Sequence, residues 1–134
     1  DIHAACDAVL KGAAFFTASD VPFFASKSGR AFGYSCAISG AIARVTVQEP
    51  QVTGKPSIHA MRFVATKLGV PMESVVVIGD DPKVETEMAR LGGAMGIGVT
   101  TGTTSAAEWA ACPPERRPHR VIDGLGEIRT LGLV

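Results

Sequence analysis

Asp80, Glu85 and Lys55 are the residues whose types and placing suit the chemistry of a phosphate group and a divalent counter-ion. Asp80 follows the apolar run Val75-Val76-Val77-Ile78 and Gly79, Asp81 comes next, and Glu85 lies on the following turn. A carboxylate at the end of a buried strand projects from the carboxyl edge of its sheet, where ligands of open α/β sheets bind. Asp81 precedes Pro82 and has a simpler use as the N-cap of a helix that starts with proline. Asp80 stands a step earlier and has no such use. Two carboxylates about 4 Å apart repel by roughly 4 kcal/mol at an effective dielectric of about 20, while a helix N-terminus returns only about 0.3–1 kcal/mol per charge. If Asp80 and Glu85 converge, protonation or a cation must relieve the difference, and all-oxygen donors open to water suit Mg²⁺.

Lys55 sits in Gly54-Lys55-Pro56-Ser57, just ahead of a helical pattern. Ser57 is a natural N-cap and Pro56 keeps the preceding backbone extended, so local structure has no need of the lysine. It reads either as a solvated side chain or as a fixed ammonium that holds a phosphate oxygen near the carboxylates. The loop Gly102-Thr103-Thr104-Ser105 opens a helix; its backbone N–H groups suit an anion, and Thr104 or Ser105 suits a cap. Gly96-Ile97-Gly98 lies inside a strand pattern and is no dinucleotide fingerprint. His3, His59 and His119 have no metal-ligand spacing, and Trp109 among alanines reads as helix packing.

The elements that must position these residues alternate from Ile58 onward. Ile58, Met61, Val64 or Ala65, and Leu68 recur at helical spacing, stopped by Gly69 and Pro71. The run from Val75 to Ile78 reads as a strand covered on both faces. A helix with Val84, Met88 and Leu91 on one side follows, closed by Gly92-Gly93; then come a strand over Met95 to Val99, a short helix near Ser105 to Ala111, a strand at Arg120 to Ile122 and a helix from Leu125. Strand–helix alternation with short links predicts right-handed βαβ units and an α/β fold with a parallel sheet. Upstream the pattern predicts a helix over Ile2 to Leu10, a strand over Ala13 to Thr17, a long loop from Ala18 to Gly33, a small-residue helix around Tyr34 to Ala43, and a link from Gln48 to Gly54.

Composition narrows the rest. The 134 residues are 46% hydrophobic and 19% charged, which predicts one packed domain or part of a larger one. Thirteen basic and thirteen acidic residues cancel, so no broad field holds nucleic acid or an anionic membrane. Cys6, Cys36 and Cys112 form neither a disulfide framework nor a thiolate zinc site, and a reducing cytoplasm is expected. No apolar run has the length of about 18–20 residues that spans a bilayer, and no export signal is visible. A cut-off strand at Ala13 to Thr17 would expose Phe15 and Phe16, with Phe23 and Phe24 adding to the patch, which leaves self-association open.

Lys55-Pro56-Ser57, followed by Val75-Val76-Val77-Ile78-Gly79-Asp80-Asp81 and Glu85, resembles the third and fourth motifs of the haloacid dehalogenase (HAD) superfamily. The order of elements is similar to its NagD / p-nitrophenylphosphatase branch (subfamily IIA), where a Thr-Asn-Pro-Asp loop belongs to an α/β cap. Thr17-Ala18-Ser19-Asp20 stands at that place without the Asn and Pro. The resemblance implies residues 1–50 as a remnant of the α/β cap and residues 51–134 as the C-terminal half of a Rossmann-like HAD core. It implies that Lys55 binds phosphate and orders the nucleophile, that Asp80 ligates Mg²⁺, and that Glu85, usually Asp in relatives, supports the metal through its water shell. Asp20 would face substrate from the cap, and Ser57 and Asp81 are the weaker substrate-binding residues. No strand followed by Asp-x-Asp occurs, and no separate motif-two Ser or Thr precedes Lys55, so the nucleophile and acid/base carboxylates are absent. The expectation is therefore a Mg²⁺-dependent phosphatase of small phosphorylated metabolites, working through an aspartyl-phosphate, whose nucleophile-bearing half lies outside this chain. Without that half the chain is expected to be inactive. The other readings are a non-catalytic α/β module that binds an anion or a protein, and one half of a split enzyme.

Overall fold

A computed structural model describes residues 1–132 and divides the chain into two compact units, Asp1–Pro56 and Ser57–Val134. In the first, α1 (Ile2–Leu10) begins at Asp1, whose carboxylate accepts the Ala4 N–H at 2.8 Å. Its Cys6 and Val9 are buried against Ile42 of α2 (Tyr34–Thr46), with Ala5 and Phe15 packed on that cluster. Phe15 is thus part of a core, whereas Phe16, Phe23 and Phe24 are exposed. The helix of small residues extends to Thr46, three residues beyond the sequence expectation of Ala43, and stops where Val47 takes up a left-handed φ of 57°.

The expected strand over Ala13 to Thr17 is short: β1 is Phe16–Thr17, pairing in parallel with β4 (Gln51–Val52). The expected linker at Gln48 to Gly54 therefore contains a strand. The expected loop from Ala18 to Gly33 also contains structure, an antiparallel hairpin of β2 (Phe23–Ser26) and β3 (Gly29–Phe32). Gly29 supplies its turn with a φ of +107° that a side chain would strain, and the Ser26 hydroxyl donates to the Gly29 carbonyl at 2.7 Å.

In the second unit α3 (Ile58–Leu68) matches the spacing that predicts it. Ser57 caps it, accepting the Ala60 N–H at 3.1 Å, and Gly69 ends it at φ +69°. A short 3₁₀ turn leads into β5 (Val76–Gly79), a residue later than expected. The helix predicted from Pro82 begins as a wide π-type turn, Pro82–Thr86, and becomes α-helical only in α4 (Glu87–Leu91). β6 (Met95–Val99), α5 (Ala106–Ala111) and β7 (Arg120–Ile122) follow as predicted, and Leu125–Leu131 is 3₁₀-helical. The sheet runs β5-β6-β7, all parallel.

Its two faces bury different clusters. Val75 and Val77 pack with Met61 and Ala65 of α3 and Met88 and Ala89 of α4. Ile97, Val99 and Ile122 pack with Ile78, Met95, Ile128 and Leu131. The alternation in Met95-Gly96-Ile97-Gly98-Val99 follows from this: large residues fill the second cluster, and the glycines admit neighbours on the first face. A Cβ on Gly96 would come within 3.2 Å of the Ala89 methyl, and one on Gly98 within 2.8 Å of Trp109 Cε2. Trp109 is buried, and its indole N–H donates to the Val99 carbonyl at 3.1 Å, so its role is packing, as the alanine-rich context predicts. Among the described residues no helix is long and apolar enough to cross a membrane, and the three cysteines are free.

Candidate functional site

The carboxyl edge of β5 carries three carboxylates within one turn of chain. Gly79 closes the strand, Asp80 leaves its edge, and Asp81 starts the turn, its Oδ1 accepting the Lys83 N–H at 2.8 Å. Asp81 is the N-cap, as the sequence predicts, and this releases Asp80 from capping. Asp80 points instead to the loop after β6: its Oδ2 accepts the Thr103 N–H at 2.7 Å, and its main-chain carbonyl accepts the Thr103 hydroxyl at 3.0 Å. The loop reading is half met. Ser105, not Thr104, caps α5, in a reciprocal box with Glu108, and an upstream N–H of the same loop does hold an anion, which is the protein's own Asp80.

Glu85 folds back over the same edge. Its carboxylate lies 3.4 Å from the Asp81 N–H, and its stem crosses Gly79, where a Cβ would overlap Glu85 Cβ, Cγ and Cδ. Gly102 does the same service for Asp80, since a Cβ there would overlap its Cβ, Cγ and Oδ2. Asp80, Asp81 and Glu85 are all half-buried, open enough for water and a ligand to reach. Oxygen donors of this kind fit Mg²⁺, which is commonly held by one or two carboxylates together with substrate oxygens and water. Among the described residues no group of three or more His, Cys, Asp or Glu is placed to hold a metal ion.

The remaining sequence-predicted residues are distributed as follows. Ser57 is buried at the start of α3, its Oγ engaged by the Ala60 N–H. Lys55 and Asp20 belong to the first unit. There the Ser19 hydroxyl donates to the Lys55 carbonyl at 3.1 Å, the Lys55–Pro56 bond is cis, and Gly54 packs so closely on the Ala18 carbonyl that a Cβ would overlap it. The Thr17-Ala18-Ser19-Asp20 loop and the Gly54-Lys55 segment thus meet directly. Asp20 has a partner the sequence did not signal: the Cys36 thiol of α2. Burial pushes the Cys36 thiol above its usual range, and the hydrogen bond and negative charge of Asp20 push it further the same way.

The family model described as HAD-hydrolase-like matches residues 52–128. A phosphoglycolate phosphatase of Arabidopsis thaliana chloroplasts is 33% identical over 66 residues, which are 49% of this chain and 18% of the plant protein. Among solved structures, a p-nitrophenyl phosphatase from Archaeoglobus fulgidus superposes with a TM-score of 0.85 at 27% identity, over 97% of this chain and 51% of its own. A glycerol phosphate phosphatase from Mycobacterium tuberculosis, solved in complex with magnesium, gives a TM-score of 0.78 at 26% identity, over 90% of this chain and 36% of its own. The chain therefore spans about half the archaeal enzyme and a smaller share of the other two.

Proposed function

We infer, because this chain belongs to the HAD-hydrolase-like family, that its residues bind and orient a phosphoryl group for a phosphatase acting on small phosphorylated metabolites. In this reading residues 1–50 are cap and residues 51–134 are the C-terminal half of the core. Asp80 and Glu85 hold Mg²⁺, Asp80 directly and Glu85 through water. Bound there, Mg²⁺ supplies charge stabilisation at the phosphoryl oxygens. The Lys55 ammonium binds phosphate and orders the carboxylate that attacks phosphorus. That attacking carboxylate, which forms the aspartyl-phosphate, comes from outside these 134 residues, since the sequence has no Asp-x-Asp after a strand. Asp20 faces substrate from the cap, Ser57 keeps its hydroxyl proton for a phosphate oxygen while its lone pair caps α3, and Asp81 flanks the edge.

The observation that supports this reading is that Asp80 leaves the carboxyl end of β5 free of capping work, which Asp81 does, while the Glu85 side chain lies over Gly79 at the same strand end. The test is Mg²⁺ titration calorimetry on the chain. Wild type is expected to bind Mg²⁺, and Asp80→Asn to weaken it by at least the roughly 10–100-fold that loss of a supporting group alone produces. The urea midpoint should move little, because an Asn oxygen still accepts the Thr103 N–H. Equal affinity in the two proteins, or no binding by wild type, removes Asp80 as a metal ligand.

A further inference from the structure

We propose that Thr103 is a positioning residue for Asp80, aiming the carboxylate that the reading above gives to the cation; the inference rests on that reading. Thr103 lies 23 residues from Asp80 in sequence, on the loop between β6 and α5, so the contact is tertiary and is no part of a local turn. Its two hydrogen bonds grip Asp80 at both ends. The backbone N–H at 2.7 Å from Oδ2 fixes the carboxylate, at the short distance of a charge-assisted bond. The hydroxyl at 3.0 Å from the Asp80 carbonyl fixes the main chain from which that carboxylate swings. Rotation about Cα–Cβ is the freedom left, and the Gly102 backbone fills the space beside it so closely that not even a methyl group fits. With Oδ2 held by the loop, Oδ1 is the oxygen presented to a ligand. The sequence Gly102-Thr103 thus does two jobs: glycine allows the approach and threonine makes the grip.

A purely structural bond tying loop to sheet would have a different signature, and two variants separate the cases. Thr103→Val keeps shape and backbone N–H and removes only the hydroxyl; Thr103→Ser keeps the hydroxyl. Calorimetry with Mg²⁺ alone is expected to show affinity about 2- to 10-fold lower for Thr103→Val, the range of one net hydrogen bond, with Thr103→Ser restored to within about twofold of wild type. Amide hydrogen exchange supplies a readout that needs no metal: protection of the Thr103 N–H should be kept in Asp80→Asn and lost in Asp80→Ala. Wild-type Mg²⁺ affinity in Thr103→Val, whatever its unfolding midpoint, overturns the positioning role. Should wild type bind no Mg²⁺, the cation reading fails, and the exchange result alone decides the grip: loss of protection in Asp80→Ala sustains it, and persistence refutes it.

Discussion

Replacing Gly102 by alanine measures how tightly the loop after β6 holds Asp80. The new Cβ would overlap Oδ2, Cγ and Cβ of Asp80 and meets nothing else closer. Gly102 does not have a positive φ, so alanine carries no backbone strain there. Relief needs the carboxylate turned away, which gives up its 2.7 Å bond to the Thr103 N–H, together with a small shift of the loop, because the Asp80 Cβ is struck too and does not move with that rotation. A hydrogen bond to a charged group contributes about 1.5–3 kcal/mol, and glycine-to-alanine at a compatible site returns about 0.4–1 kcal/mol through the unfolded chain. The net expectation is a loss of about 0.5–2.5 kcal/mol. In an Asp80→Gly background there is no side chain to strike, and the same substitution should become stabilising by about 0.4–1 kcal/mol. Urea unfolding of the four proteins gives the coupling directly, expected at about 1.5–3 kcal/mol. A Gly102→Ala protein as stable as wild type, or an equal loss in both backgrounds, would refute the packing of this edge.

Two further outcomes are expected. Trp109→Phe removes the indole N–H from the Val99 carbonyl and part of the ring over Gly98, and should cost about 1–3 kcal/mol by thermal melting, chiefly because a buried acceptor is left unpaired. For Cys36, whose thiol is held protonated first by burial and then by Asp20, iodoacetamide labelling of its peptide should set in above the ordinary thiol value of 9.0 and move to lower pH in Asp20→Asn. The folded form binds this proton more tightly than the unfolded one, so the Cys36 contribution to stability is complete below the ordinary thiol range and is lost as pH rises through the raised value. Labelling with the same pH dependence in both proteins would remove Asp20 as a cause.

Elements with local punctuation and a buried face were legible in the sequence. α3 was bounded by Ser57 and Gly69 and striped by Met61 and Ala65, and β6 and β7 announced themselves as short apolar runs between turn residues. The β2–β3 hairpin carried no such signal, because every residue of β2 is exposed and no alternation of burial is imposed on it. Backbone pairing, the turn at Gly29 and the contact of the Phe23 and Phe32 rings, whose centroids are 5.8 Å apart, hold it instead. The run Val75 to Ile78 predicts a strand covered on both faces; among the described residues β5 pairs with β6 alone, and Val76 is 36% exposed. For the candidate site, Asp80, Asp81 and Glu85 stand out in the sequence because they lie close together in it. The Thr103 bonds and the Cys36–Asp20 contact join residues distant in sequence, and no periodicity reports those.

Two glycines make room for Glu85 and Asp80 at the carboxyl end of β5. Gly79 and Gly102 both lie outside the positive-φ region, so backbone freedom is not the reason for either. The reason is room: the Glu85 stem occupies the place of one missing Cβ, and the Asp80 carboxylate that of the other. A side chain at position 79 would push Glu85 off the edge, and one at position 102 would turn Asp80 away from Thr103. The direction of each acid is therefore set by a residue without functional groups of its own. Neither pairing is visible in the sequence: Gly79 makes room for Glu85, six residues on, and Gly102 for Asp80, on the far side of β6 in the chain.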